Sequence, residues 1–196
     1  IDRKVDKATS TITVLLRYEA YDFDSRLVVT PEGKGFRVAV HVDKPVPEKL
    51  AGRAGLNLEF LPSKFFERTF LADGQPGIFP RYPTGPTAAR PADTKIPQFE
   101  GYSTFDDRGR NDYVEVRPVA VGRTLVLAPE DPERRVTIEA ASGELQLLDG
   151  RNLAQNGWFI VRSLLQARTT GKVAEWVVKP SIIPNWKYQK PSKGGY

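Results

Sequence analysis

The chain is predicted to be all-β, an antiparallel β-sandwich of jelly-roll type carrying one long proline-rich loop. Three observations predict it. Apolar and polar residues alternate with a period of two in many short runs. Those runs are rich in β-branched and aromatic residues and are bounded by turn formers. Against about ten such runs, only "PEKLAG" at 47–52 has a helical look, which suits a sandwich better than an enzyme barrel with helices.

The elements follow in order. "TITVLLRYE" at 11–19 alternates through Ile12, Val14, Leu16 and Tyr18. "SRLVVT" at 25–30 is joined to "FRVAVHV" at 36–42 by the turn "PEGKG", so 25–43 reads as a hairpin. In its second arm Phe36, Val38, Val40 and Val42 share one face, and Arg37, Ala39 and His41 the other. "GLNLEFL" at 55–61 alternates through Leu56, Leu58 and Phe60. The second half repeats the style in "YVEVRPV", "RTLVLA", "RRVTIEA", "ELQLL", "GWFIVR" and "VAEWVVK". "AASGE" at 140–144 predicts a tight hairpin connection. From Gln75 to Pro97 prolines recur too often for a helix or a central strand, which predicts a long loop. Loops of that length are often functional. No second core shows on either side, so residues 1–180 are expected to form one domain and 181–196 a linker stump toward a following one.

Composition narrows the chemistry. The chain has 196 residues, 40% of them hydrophobic, enough for one sizeable core. Cysteine is absent, which removes disulfides, thiolate nucleophiles and thiolate metal sites together. Histidine occurs once, at 41, where the alternation places it on a polar face, so triads and histidine-rich metal sites lack members. No glycine-rich loop joins a strand to a helix as phosphate binding requires, and no cofactor is expected. The net charge of +5 is spread along the chain rather than gathered in a stripe, so nucleic acid is not an expected partner. No uninterrupted apolar run is long enough to predict a membrane helix. The absence of methionine and the start at Ile1 suggest a processed, excised or engineered chain, a trimmed secretory leader being one route.

Two carboxylates facing one cleft are able to hydrolyse a glycosidic bond without histidine or cysteine. Glu59, Glu139 and Glu175 are the strand-borne candidates, yet alternation points each to water and nothing marks two as a pair. "FDDRGRND" at 105–112 gathers Asp106, Asp107 and Asp112, but its two arginines oppose a bound cation. The aromatics are more informative, because sugar rings present apolar C–H faces to planar side chains. Trp158 and Trp176 lie beside apolar strand residues and are expected in the core. Phe79, Tyr82, Phe99, Tyr102 and Phe105, with Asp106 and Arg108 close by, lie in or beside the irregular region and are the candidate carbohydrate-binding set. The competing expectation is that these rings pin the loop to the sandwich.

Longer strings carry a likeness. "LVLAPEDPERRVTIEAASGELQLLDGRNLAQNGWFIVRSLL", "GKVAEWVVKPSIIPNWKY" and "AGLNLEFLPSKFFERTFLADGQPGIFPRYPTGP" resemble the amino-terminal region of bacterial glycoside hydrolase family 9 enzymes of the cellulase and endoglucanase type. The likeness runs from about residue 18 to Tyr188. In that architecture a β-sandwich precedes an immunoglobulin-like domain and a helical catalytic barrel. The family's catalytic residues lie in the barrel, in a "DAGD"-like motif and a later glutamate. Neither is present here, so no catalytic position carries over. The resemblance implies a non-catalytic accessory module, secreted, periplasmic or at the cell surface. It would bind or present a β-glucan-type polysaccharide, or orient the following domains, with Trp186 as the contact. A small jelly-roll glycanase is the third expectation.

Overall fold

A computed structural model describes residues 2–83, 117–152 and 157–181. Among these residues thirteen strands form two antiparallel sheets, the sandwich-like all-β arrangement that the alternation predicts. In chain order they are β1 (Asp2–Asp6), β2 (Thr11–Tyr18), β3 (Phe23–Glu32), β4 (Gly35–Val42), β5 (Gly55–Phe60), β6 (Thr69–Ala72) and β7 (Gln75–Ile78). The second half supplies β8 (Ala120–Gly122), β9 (Thr124–Leu127), β10 (Val136–Ala140), β11 (Leu145–Asp149), β12 (Phe159–Leu164) and β13 (Gly171–Pro180). One sheet has nine strands in the order β1-β2-β3-β4-β13-β10-β9-β6-β7, the other four in the order β5-β12-β11-β8.

The expected hairpin is β3–β4. Glu32 pairs with Gly35, leaving Gly33 and Lys34 as a two-residue turn in which Gly33 takes φ 57°. From that start the register sets Val38, Val40 and Val42 on the inner face, where Val38 meets Trp176 and Val40 meets Ala174 of β13. Leu125, Leu127, Ile138, Leu145, Leu147 and Val161 complete a fully buried centre between the sheets. Trp176 is fully buried as expected, and its indole N–H donates to Ser163 Oγ at 3.0 Å, so its one polar group is satisfied.

Several expectations are corrected. "PEKLAG" forms consecutive turns rather than a helix, although Ala54 N–H does reach Leu50 O at 2.8 Å. The start of the supposed loop is the strand β7, hairpinned to β6 through Asp73 and Gly74, whose φ of 48° and 83° are the left-handed pair that such a turn demands. β7 ends the nine-stranded sheet, so Pro76 sits where a missing N–H is tolerated. "AASGE" is not a hairpin: β10 belongs to the nine-stranded sheet and β11 to the four-stranded one, so the turn carries the chain across the core. Of "YVEVRPV", residues 113–116 lie outside the described residues and 117–119 are not strand. β1 was not anticipated at all.

The chain crosses between sheets again from β8 to β9, and Asp73 holds that crossing. Its carboxylate accepts the backbone N–H groups of Arg123 at 3.0 Å and Thr124 at 2.8 Å. Those two donors, Thr124 first, hold the Asp73 carboxyl below its ordinary range.

Candidate functional site

The outer face of the four-stranded sheet is set by the same alternation that builds the core. Phe159, Val161 and Ser163 of β12 point inward, so Trp158, Ile160 and Arg162 point outward. The register places Ile160 between Glu59 and Leu148, and Arg162 between Asn57 and Gln146. Arg162 Nε donates to Gln146 Oε1 at 2.8 Å. Leu148 and Ile160 form a small buried cluster of their own on this side, separate from the main core. At the end of the face Trp158 is 41% exposed, which corrects its expected place in the core.

Next to Trp158 the chain is tied down by an arginine. Trp158 O accepts the N–H of Gly150 at 2.8 Å, and the following residue, Arg151, turns its guanidinium beneath the rings of Phe66 and Phe159, 5.0 and 4.9 Å from their centroids. The fully buried Asp149 carboxylate takes Arg151 Nε at 2.8 Å and Nη2 at 2.7 Å. The outer nitrogens donate to two carbonyls of another segment, Nη2 to Pro80 O and Nη1 to Arg81 O, both at 2.6 Å. Arg81 is held again through its own side chain, by Glu67 at 3.2 Å. Tyr82 follows directly and is 75% exposed.

The structure thus separates the predicted aromatic set. Phe79 is 1% exposed, and its ring lies 5.4, 5.3 and 4.8 Å from those of Phe65, Phe70 and Phe159, so no ligand reaches it. It pins the segment to the sandwich. Tyr82 stands in solvent at the same end as Trp158. Phe99, Tyr102, Phe105, Asp106 and Arg108 lie outside the described residues, as does Trp186. Alternation does not mark Trp158 as exposed, because Ile160, its neighbour on that face, is as apolar as the residues facing inward.

Of the candidate glutamates, Glu139 and Glu175 are diagonal neighbours on the outer face of β10 and β13, each engaged by cations, and Glu59 is on the other sheet. Glu59 lies on the outer face of the four-stranded sheet and Glu139 on that of the nine-stranded sheet, where Lys179 meets it at 3.2 Å. Glu175 does not point to water: it is buried, and it bonds Lys172 and Arg37. Those hydrogen bonds, Lys172 first, hold its carboxyl below the usual range. An open groove of about 470 Å³ lies elsewhere on the nine-stranded sheet, lined in part by Leu15, Arg17, Arg26 and His41. Its arginines are engaged, Arg17 by Asp22 and Asp24 and Arg26 by Asp43. Among the described residues no group of His, Asp or Glu is arranged to hold a metal ion. No family model, curated protein or solved structure matches the chain.

Proposed function

We propose that the chain is a non-catalytic binding module of a polysaccharide-degrading glycoside hydrolase, holding a β-glucan-type polysaccharide on exposed aromatic rings. One observation carries the reading: Trp158 and Tyr82 are exposed at one end of the sandwich on backbone that hydrogen bonds hold from several sides. An exposed aromatic ring offers a flat apolar surface on which the C–H face of a sugar stacks. Arg162, Gln146, Asn57 and Glu59 lie on the adjoining face, where hydroxyl groups of a longer glycan would find donors and acceptors. Placement outside the cytoplasm goes with this substrate.

The test is titration with a soluble mixed-linkage β-glucan and pull-down on insoluble cellulose, read by tryptophan fluorescence and depletion. Wild-type binding that is lost in Trp158→Ala and weakened in Tyr82→Ala supports the module. No binding at millimolar sugar, or binding that both substitutions leave intact, removes it.

A second reading, support of a following domain, is favoured by a different surface. The nine-stranded sheet runs past the edge of the four-stranded one, and the inner face of β1 and β2 presents Val5, Ile12, Val14 and Leu16 outside the main core cluster. Val5 is 52% exposed. A large loss of thermal stability when residues 1–188 are deleted from a parent enzyme, with substrate binding unchanged, would favour support over binding.

A further inference from the structure

We propose that Arg151 is a positioning residue, which fixes the backbone that carries Tyr82 before a ligand arrives. The inference rests on the binding reading above and names the device that would make the platform rigid. A loose aromatic loses rotamer and backbone freedom on binding, and that loss subtracts from affinity; a ring already in place does not incur it.

The geometry is built for this task. Arg151 sits where the chain from β11 approaches the carbonyls that follow β7, and it donates to two successive ones, Pro80 O and Arg81 O. A flexible side chain would hold such carbonyls poorly, but this guanidinium has no freedom left. Asp149, itself fully buried, grips its inner edge with two hydrogen bonds. Phe66 and Phe159, in edge contact with each other, both lie against it. Lysine cannot reproduce this, having a point charge and no planar fork. The segment it holds is anchored from behind as well, since Phe79 pairs its backbone with Glu67 and Arg68 at 3.0 and 2.9 Å. Trp158 is joined to the same device through Gly150, the residue before Arg151. One side chain therefore fixes the backbone that precedes Tyr82 and neighbours the backbone bond of Trp158.

Removing Arg151 alone would strand a buried carboxylate and unfold the region for reasons unrelated to the platform. The informative variant removes both charges, Asp149→Leu with Arg151→Met, beside Arg151→Lys. Hydrogen exchange followed by mass spectrometry reads the backbone of residues 80–83, and the β-glucan titration reads affinity. In the folded double variant we expect exchange at 80–83 to rise at least tenfold and affinity to fall about tenfold, with the stoichiometry of binding retained. Arg151→Lys should give a smaller change in the same direction. Unchanged exchange overturns the proposal, and so does faster exchange with unaltered affinity. Absence of wild-type binding, or full binding by Trp158→Ala, instead defeats the reading of function; exchange at 80–83 then still decides whether Arg151 holds that segment. A double variant that does not fold shifts the decision to Arg151→Lys, for which unchanged exchange and affinity together overturn the proposal.

Discussion

Phe79 offers the sharpest test of how the sandwich and its exposed platform divide the work. The perturbation is Phe79→Ala, with Phe79→Leu as a milder partner. The ring is 1% exposed and lies within 4.8–5.4 Å of three other phenylalanine rings, so its removal leaves a cavity in a cluster joining β7 to β12. Burial and cavity terms for Phe→Ala come to about 3–5 kcal/mol. Phe79→Leu keeps most of the volume but forfeits the ring–ring contacts, for a loss of about 1–3 kcal/mol. At this chain length each kcal/mol lowers Tm by about 2–4 °C, so Phe79→Ala should lose roughly 6–20 °C and Phe79→Leu about 2–12 °C. The assay is thermal unfolding followed by circular dichroism, with urea denaturation as a check. Glycan affinity of the folded Phe79→Leu protein should stay within about threefold of wild type, since the ring meets no ligand. A Tm change under about 2 °C for Phe79→Ala would refute the buried placement, and loss of affinity by a fully folded Phe79→Leu would return Phe79 to the binding set.

The remaining expectations concern backbone and charge. Gly35→Ala should destabilise by about 1–3 kcal/mol, because a Cβ there would stand 2.0 Å from Val178 O in the neighbouring strand. Gly157→Ala, with nothing within 4 Å of the added carbon, should be near neutral in the same melt. Glu175→Gln should lower Tm by several degrees, because it leaves Arg37 and Lys172 facing an amide at a buried position. Replacing Arg37 and Glu175 together by apolar residues should cost less than the sum of the single changes. Acid should weaken the fold through Asp73, Asp131 and Glu175, whose carboxyls are all depressed, Asp131 chiefly by its hydrogen bond from Arg134. A depressed carboxyl contributes its full stability above its unfolded pKa, near 4, and loses it as pH falls through the lower folded value. Tm should therefore hold from neutrality to about pH 5 and decline below about pH 4. A flat Tm down to pH 2 would show that these bonds contribute nothing.

The strands of this protein are legible in the sequence by themselves. Alternation in "FRVAVHV" and the Pro–Gly turn before it specify a hairpin whose register is local, and β3–β4 forms accordingly. A period of two also says which residues share a face: Trp158 with Ile160, and Phe159 with Val161. It does not say which face the other sheet covers. That is settled by the nine-stranded sheet, whose Trp176 on β13 reaches Ser163 of β12 from the covered side, and in β12 both faces were apolar enough to be core. The same long-range choice sent β11 away from β10 after "AASGE", turned Phe79 into the core, and left Tyr82 and Trp158 outside it. Local chain chemistry thus determined what the elements are and how each is two-sided. Only the packing of one sheet on the other decided which side meets water, because burial depends on neighbours that sequence spacing does not specify.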